Sequence, residues 1–369
     1  MREGMLQPSE DLRPAEEAQR GKGDHAAALR GALPGGGGGT VRPGTARLEG
    51  GHGPAGGADS DRLGPGFLHT PPADGYAWWY LDALSEDGQH GLTIIVFLGS
   101  VFSPYYAIAR RQGPADPMNH CCINVALYGS PARFAMTDRP ERAMKRDATS
   151  ITIGPSAMRW DGTVLTLDLD EVAVPLPRRI RGQVRLTPGP MNERVFTLDA
   201  AGHHHWRPMS AAARVEVELE KPGLSWKGQG YFDSNWGSAP LERDFAEWDW
   251  CRVPLSEGAA ILYDARRRDG TRQQLALRFH ADGRLEEMPV PPDVTMTRSL
   301  WGIRRATQSE GSAEIVKTLL DTPFYARSVL RTTLCGETAL GVHESLDCDR
   351  FAALPIQLIL PFRVPRAWF

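Results

Sequence analysis

The stretch Trp160-Asp161-Gly162-Thr163-Val164-Leu165-Thr166-Leu167-Asp168-Leu169-Asp170 decides how the rest of the chain is read. From Leu165 onward apolar and polar residues alternate, which is the period of a strand with one face buried and one wet. The Asp-Gly ahead of it supplies the backbone conformation that a tight hairpin needs. The same punctuation recurs: Asp269-Gly270 separates Ala260-Ile261-Leu262-Tyr263 from Leu275-Ala276-Leu277-Arg278-Phe279, and Asp87-Gly88 and Asp282-Gly283 are further candidates. Val215-Glu216-Val217-Glu218-Leu219-Glu220 alternates cleanly. Many short strands joined by such turns predict an all-β fold of antiparallel sandwiches or barrels, and about 300 residues suffice for two of them. The expected boundary falls near residue 240, where Gly237, Ser238 and Pro240 interrupt the strand pattern, giving β domains over 66–240 and 241–369. Ser238 to Glu247 is one of the few stretches compatible with a short helix.

Residues 1–65 differ in kind. They are rich in Gly, Pro, Ala and charge, with five consecutive glycines from Gly35 to Gly39 and hardly any aromatic residues. Such a segment buries too little apolar surface to offset its ordering entropy, so a disordered tail is expected. No Gly-Lys-Ser/Thr follows the glycines, so they do not read as a phosphate loop.

Two apolar runs raise the question of a membrane. Gly91 to Ala109 carries no charge, but Thr93, Gly99, Ser100, Ser103, Pro104 and the β-branched Thr93-Ile94-Ile95-Val96 favour a strand, a turn and a second strand over a spanning helix. Leu354-Pro355-Ile356-Gln357-Leu358-Ile359-Leu360-Pro361-Phe362 is too short to span and reads as a closing strand of the second barrel. Its neighbours Arg363, Arg366 and Trp368 would also suit a membrane interface.

With 42 basic and 45 acidic residues among 369, the net charge is −3, which gives no electrostatic case for nucleic acid. The five cysteines, Cys121, Cys122, Cys251, Cys335 and Cys348, include no CxxC spacing, so neither zinc nor a disulfide framework is indicated. Small buried hydrophobes in a reducing compartment fit them better, and Met1 to Pro14 lacks the apolar core of a secretory signal. A cytoplasmic location is expected.

Chemistry concentrates in His203-His204-His205-Trp206 and in Gly230-Tyr231-Phe232-Asp233-Ser234-Asn235-Trp236-Gly237. On a strand, residues two apart share a face, so His204 with Trp206, and Tyr231 with Asp233, can each present both side chains to one cavity. A carboxyl walled by Tyr231, Phe232 and Trp236 has its charged form disfavoured and can hold a proton near neutrality. The alternative for Asp233 is a turn residue bonded to nearby backbone amides. Adjacent histidines on a strand alternate faces, so only His203 and His205 could share an ion, and no third ligand is identifiable. No Gly-x-Ser-x-Gly elbow and no dinucleotide fingerprint occurs, which leaves cofactor-free acid catalysis or the binding of a lipophile.

The region from about Gly66 to Phe362 resembles the carotenoid 1,2-hydratases, also called hydroxyneurosporene synthases. The segments that carry the likeness are Gly75-Tyr76-Ala77-Trp78-Trp79-Tyr80, Ser103-Pro104-Tyr105-Tyr106, His203-His204-His205-Trp206, Gly230 to Gly237, and Phe245-Ala246-Glu247-Trp248-Asp249-Trp250. The resemblance implies two lipocalin-like β domains and the addition of water, without cofactor or metal, to the terminal C1–C2 double bond of acyclic carotenoids such as neurosporene and lycopene. It implies a His-x-Trp and Tyr-x-Asp catalytic set at His204, Trp206, Tyr231 and Asp233. Asp233 would give the proton, the faces of Trp206 and Tyr231 would stabilise the cation, and His204 would orient Asp233 or the water and take up the proton released when the alcohol forms. A substrate that lives in a bilayer implies peripheral contact with the inner membrane. A lipocalin-like carrier, or a pericyclase on the same scaffold, are the competing expectations.

Overall fold

A computed structural model describes residues 64–367. The tail read as disordered lies, up to residue 63, outside the described residues, as does Trp368. The first sheet contains β1 (Tyr76–Ser85), β2 (Gly91–Leu98), β3 (Cys122–Tyr128), β4 (Arg133–Ala135), β5 (Met144–Arg146), β6 (Ser150–Ile153), β7 (Ser156–Trp160), β8 (Leu165–Val172), β9 (Arg179–Thr187), β10 (Phe196–Thr197), β11 (His204–Lys221) and β12 (Leu224–Gly237). Its order is β4-β3-β2-β1-β12-β11-β9-β8-β7-β6-β5, with β10 on β11. The second contains β13 (Phe245–Leu255), β14 (Gly258–Arg267), β15 (Arg272–Phe279), β16 (Leu285–Glu287), β19 (Ala313–Asp321), β20 (Tyr325–Leu334) and β21 (Glu337–Asp347), in the order β16-β15-β14-β13-β21-β20-β19. Between β16 and β19 in sequence, β17 (Asp293–Thr295) and β18 (Ala306–Gln308) pair with each other. All these pairings are antiparallel, and the curled, lipocalin-like sheets meet the all-β expectation.

The four Asp-Gly pairs singled out above fall between consecutive strands, as their chemistry dictates. In the turn from β7 to β8, Asp161 Oδ1 accepts from the backbone amides of Thr163 and Val164 at 2.8 and 2.7 Å, and Gly162 takes φ +96°. Ser238 to Glu247 contains the short helix Leu241–Asp244.

The first sheet is buried on both faces where the second covers it. Along β1, Ala77, Trp79, Leu81 and Ala83 join the apolar core of the first sheet, whereas Tyr76, Trp78 and Tyr80 pack into a second cluster with Trp250 and Tyr263 of the other sheet. β12 shows the transition. Lys227 and Gln229 are exposed, but from Gly230 to Asn235 every residue is buried. This two-sided burial also explains the uncharged Gly91–Leu98, which is β2.

Two expectations are corrected. The residues after β2 form not a second strand but α1 (Pro104–Gln112), started by Ser103, whose side chain accepts from the Tyr106 amide, with Pro104 in the first turn. Proline lacks the N–H that a ladder needs, yet its fixed φ suits a helix start. The C-terminal apolar run is likewise not a closing strand. It forms a helix over Leu354–Ile359 and a 3-10 turn over Leu360–Phe362, each with proline in its first turn, because Pro355 and Pro361 cannot donate to a sheet. Among the described residues no helix is long and apolar enough to cross a membrane.

Candidate active site

Asp233 lies on β12 between β1 and β11, opposite Tyr80 on one side and Pro208 on the other. Its side chain is on the face covered by the second sheet, and it is 5% exposed. Tyr231, two residues earlier on the same face, donates its hydroxyl to Asp233 Oδ2 at 2.7 Å. Trp206 of β11 donates its indole Nε1–H to the same oxygen at 2.9 Å. Oδ1 is buried and has no hydrogen-bond partner among the described residues. Burial pushes the Asp233 carboxyl up to about 7, against the opposing pull of the bonds from Trp206 and Tyr231. The Asp82 carboxylate adds to the rise. With Oδ2 accepting twice, Oδ1 is the oxygen that carries the proton of the neutral acid.

The surroundings are aromatic. The Trp206 ring centroid is 5.2 Å from Tyr263 and 5.6 Å from Phe196, and Tyr231 is 5.0 Å from Trp250 and 6.0 Å from Tyr80. Tyr263, Trp250 and Tyr80 therefore close the side of the acid that the sheet leaves open. Burial raises the Tyr231 hydroxyl well above its ordinary value, so it stays a donor to Asp233.

The structure brings Trp206, Tyr231 and Asp233 together but leaves His204 apart from them. His204 shares the face of Trp206, yet its Nδ1 meets the Tyr76 hydroxyl at 2.9 Å and its Nε2 meets Asp244 Oδ2 at 2.9 Å. Burial lowers its pKa, partly opposed by the bond to Asp244. Gly237 is the ladder partner of both Tyr76 and His204. A Cβ there would stand 2.7 Å from Tyr76 Cε1 and 2.9 Å from His204 Nδ1, so only glycine lets the two rings meet across the strand. His203 bonds Asp244 at 3.2 Å.

Beside the acid, a cavity of about 480 Å³ opens between β1, β2 and β3 of the first sheet and β20 and β21 of the second. Trp78, Tyr80, Phe97, Trp248 and Tyr325 are among its walls, with the C-terminal helix residues Ile356 and Ile359. Asp233, Tyr231, Trp206 and His204 are not lining residues, and Tyr80, the cross-strand partner of Asp233, stands at the boundary. Sequence reading missed the polar end of this cavity. Tyr80 donates to Glu344 Oε1 at 2.6 Å, Arg327 bonds both Tyr80 and Glu344, and Asp82 accepts from Arg252 at 2.8 Å and from Arg327 at 2.9 Å. The available signal was an acid, Asp82, inside the otherwise uncharged strand Tyr76–Ser85.

An antiparallel two-sheet fold with a buried carboxyl, pushed up to about 7, near an apolar cavity defines a lipocalin-like protein with an aromatic-walled acidic group in its interior. The model of the carotenoid hydratase CrtC family matches residues 94–368, and the chain belongs to that family, whose members are hydro-lyases. It is 49% identical to the acyclic carotenoid 1,2-hydratase of Thiocapsa roseopersicina, over 98% of each chain. It is 42% identical to that of Rubrivivax gelatinosus, over 99% of this chain and 98% of the relative. A solved structure of a putative AttH from Nitrosomonas europaea superposes with a TM-score of 0.50 at 16% identity, covering 73% of this chain and 92% of that one, and shows the fold alone.

Proposed function

We propose that this chain adds water across the terminal C1–C2 double bond of an acyclic carotenoid such as neurosporene or lycopene, without a cofactor, with Asp233 as the acid. The observation that carries the proposal is the Asp233 carboxyl, buried among rings, held near pH 7, and doubly hydrogen-bonded on one oxygen only. The π pair of the alkene takes the proton at C2, which leaves a tertiary cation at C1, and water then forms the C1–O bond and loses a proton. Aromatic faces stabilise such a cation by up to about 2 kcal/mol when water is excluded. Trp206 and Tyr231 position the acid through its Oδ2, and their donated bonds keep Oδ1 as the proton-bearing atom. Tyr76 and Asp244 fix the orientation of His204, which ties the start of β11 to β1 and to the helix Leu241–Asp244.

The sign of the pH dependence follows from the acid's role. Only protonated Asp233 is competent, so kcat/KM falls as pH rises through about 7. Trp206→Phe removes a donor that favours the ionised form, so that falling limb moves to higher pH. A pH-rate profile of the two proteins checks this; a limb that stays put or moves down would remove Asp233 as the titrating acid.

The cavity's rim supports peripheral contact with the membrane that holds such a substrate. Trp301 and Ile359 line the cavity and are also exposed, and Leu354, Leu358 and Phe362 of the C-terminal helices are 62%, 65% and 76% exposed. Apolar side chains projecting from a short amphipathic segment insert at the headgroup boundary. In liposome flotation the wild type is expected to rise with the vesicles, and a Leu354→Glu/Leu358→Glu/Phe362→Glu variant to remain below while still turning over detergent-dispersed substrate. Equal flotation of the two, or none by the wild type, would count against the contact.

A further inference from the structure

The acid accounts for one half of a hydration. The other half needs a group that receives the proton lost by the attacking water, and the rest of the cavity supplies a candidate. Glu344 of β21 lines it, with a side chain 12% exposed. Its ladder partner is Trp250 of β13, and the rings of Trp250, Tyr80 and Tyr231 lie 5.0 to 6.0 Å from one another. The ring cluster links the two carboxyls: Tyr231 donates to Asp233, and Tyr80 donates to Glu344. The bonds from Tyr80 and Arg327 both fall on Glu344 Oε1, so Oε2 is the oxygen left to accept from a molecule in the cavity. Asp82, Glu344, Arg252 and Arg327 balance in charge, two against two, which keeps a carboxylate tolerable at this depth. Asp321 also lines the cavity, with Oδ2 accepting from the Leu300 amide at 2.6 Å and Oδ1 without a partner among the described residues, but it sits at the rim, where Leu300 and Trp301 are exposed, whereas Glu344 bonds Tyr80, the ladder partner of Asp233.

We propose that Glu344 is the base of the hydration and, with the Tyr80 hydroxyl as its positioning partner, holds the water that attacks C1. This rests on the hydratase reading above. Asp233 gives its proton to C2, an oxygen lone pair of the held water forms the bond to C1, and the resulting oxonium passes one proton to Glu344. The alcohol is then neutral, Asp233 is a carboxylate and Glu344 a carboxylic acid. Glu344 returns its proton to water at the cavity mouth and Asp233 regains one, so the sum is alkene plus water to alcohol.

The two halves separate in D2O. Without the base, a cation formed by deuteron transfer from Asp233 can only collapse by losing a proton, which leaves deuterium at C2 of recovered alkene. The experiment follows detergent-dispersed neurosporene in D2O with the full chain, reading alcohol and C2 deuteration by mass spectrometry and NMR, with circular dichroism to confirm folding. Glu344→Gln is expected to lower alcohol formation by ~100-fold while C2 deuteration continues. Tyr80→Phe, which retains the ring and the Arg327–Glu344 contact, is expected to lower it roughly tenfold with deuteration likewise retained. Near wild-type hydration by folded Glu344→Gln would overturn the proposal, and so would loss of both signals, which would make Glu344 a support of the acid step. Should Glu344→Gln fail to fold, Tyr80→Phe decides: unchanged hydration overturns the assignment. Asp233→Asn tests the parent reading separately, because it must abolish both signals whatever Glu344 does.

Discussion

Asp233→Asn is expected to lower turnover by about 10²–10⁴-fold in a protein that still folds, because the amide keeps the shape and can accept from Trp206 and Tyr231 but has no proton to give. Activity of the purified variant beside its circular dichroism spectrum checks this, and retention of most activity by a folded Asn variant would remove Asp233 from the acid role. The same substitution has a stability signature of known sign. The folded carboxyl binds its proton more tightly than the unfolded one, so the unfolded state ionises first as pH rises. Asp233 therefore contributes most at low pH, and that contribution is lost between about 4, the unfolded value, and about 7, the folded one. Relative to wild type, Asp233→Asn is expected to gain stability over that window and to level off above it. Urea titrations at several pH values read this difference, and a difference that is flat or falls with pH would show that Asp233 is not held protonated.

Asp82→Ala is expected to be among the most destabilising single changes, by about 3–5 kcal/mol, because it leaves two buried guanidinium groups with part of their charge uncompensated. Asp82 is fully buried on β1 and bonds Arg252 of β13 and Arg327 of β20, so it ties the first sheet to the second. Loss of this tie also removes a partner of the Tyr80 hydroxyl, which lies 3.3 Å from Asp82 Oδ2. Equilibrium unfolding measures the effect. A change below about 1 kcal/mol would mean that the aromatic cluster, not the ion cluster, holds the sheets together.

Local chemistry made much of this molecule readable in advance. Asp161-Gly162 and Asp269-Gly270 fix their hairpins through side-chain and glycine conformations that need no tertiary context. The two-residue spacing that puts Tyr231 with Asp233 is a property of any strand, and the structure adds that Trp206 reaches the same oxygen from the neighbouring strand. Reading failed where apolar content was taken for strand: Ser103-Pro104 is a helix start, and Pro355 and Pro361 forbid the ladder that hydrophobicity alone suggested. The resemblance placed His204 in one set with Asp233, and the side-chain partners it has in the fold, Tyr76 and Asp244, come from positions 128 and 40 residues away. Bonded pairs in the Asp82–Arg252–Arg327–Glu344 cluster are up to 245 residues apart, and nothing local announces it beyond one acid in an apolar strand.

The measurement that bears most directly on the central claim is incubation of the purified full chain, under argon and without added cofactor or metal, with detergent-dispersed neurosporene or lycopene, followed by chromatography and mass spectrometry. A product heavier by one water, bearing its hydroxyl at C1, is expected from the wild type, and at most about a hundredth as much from Asp233→Asn. Tight binding of the carotenoid with no change in its mass would contradict this and favour a carrier.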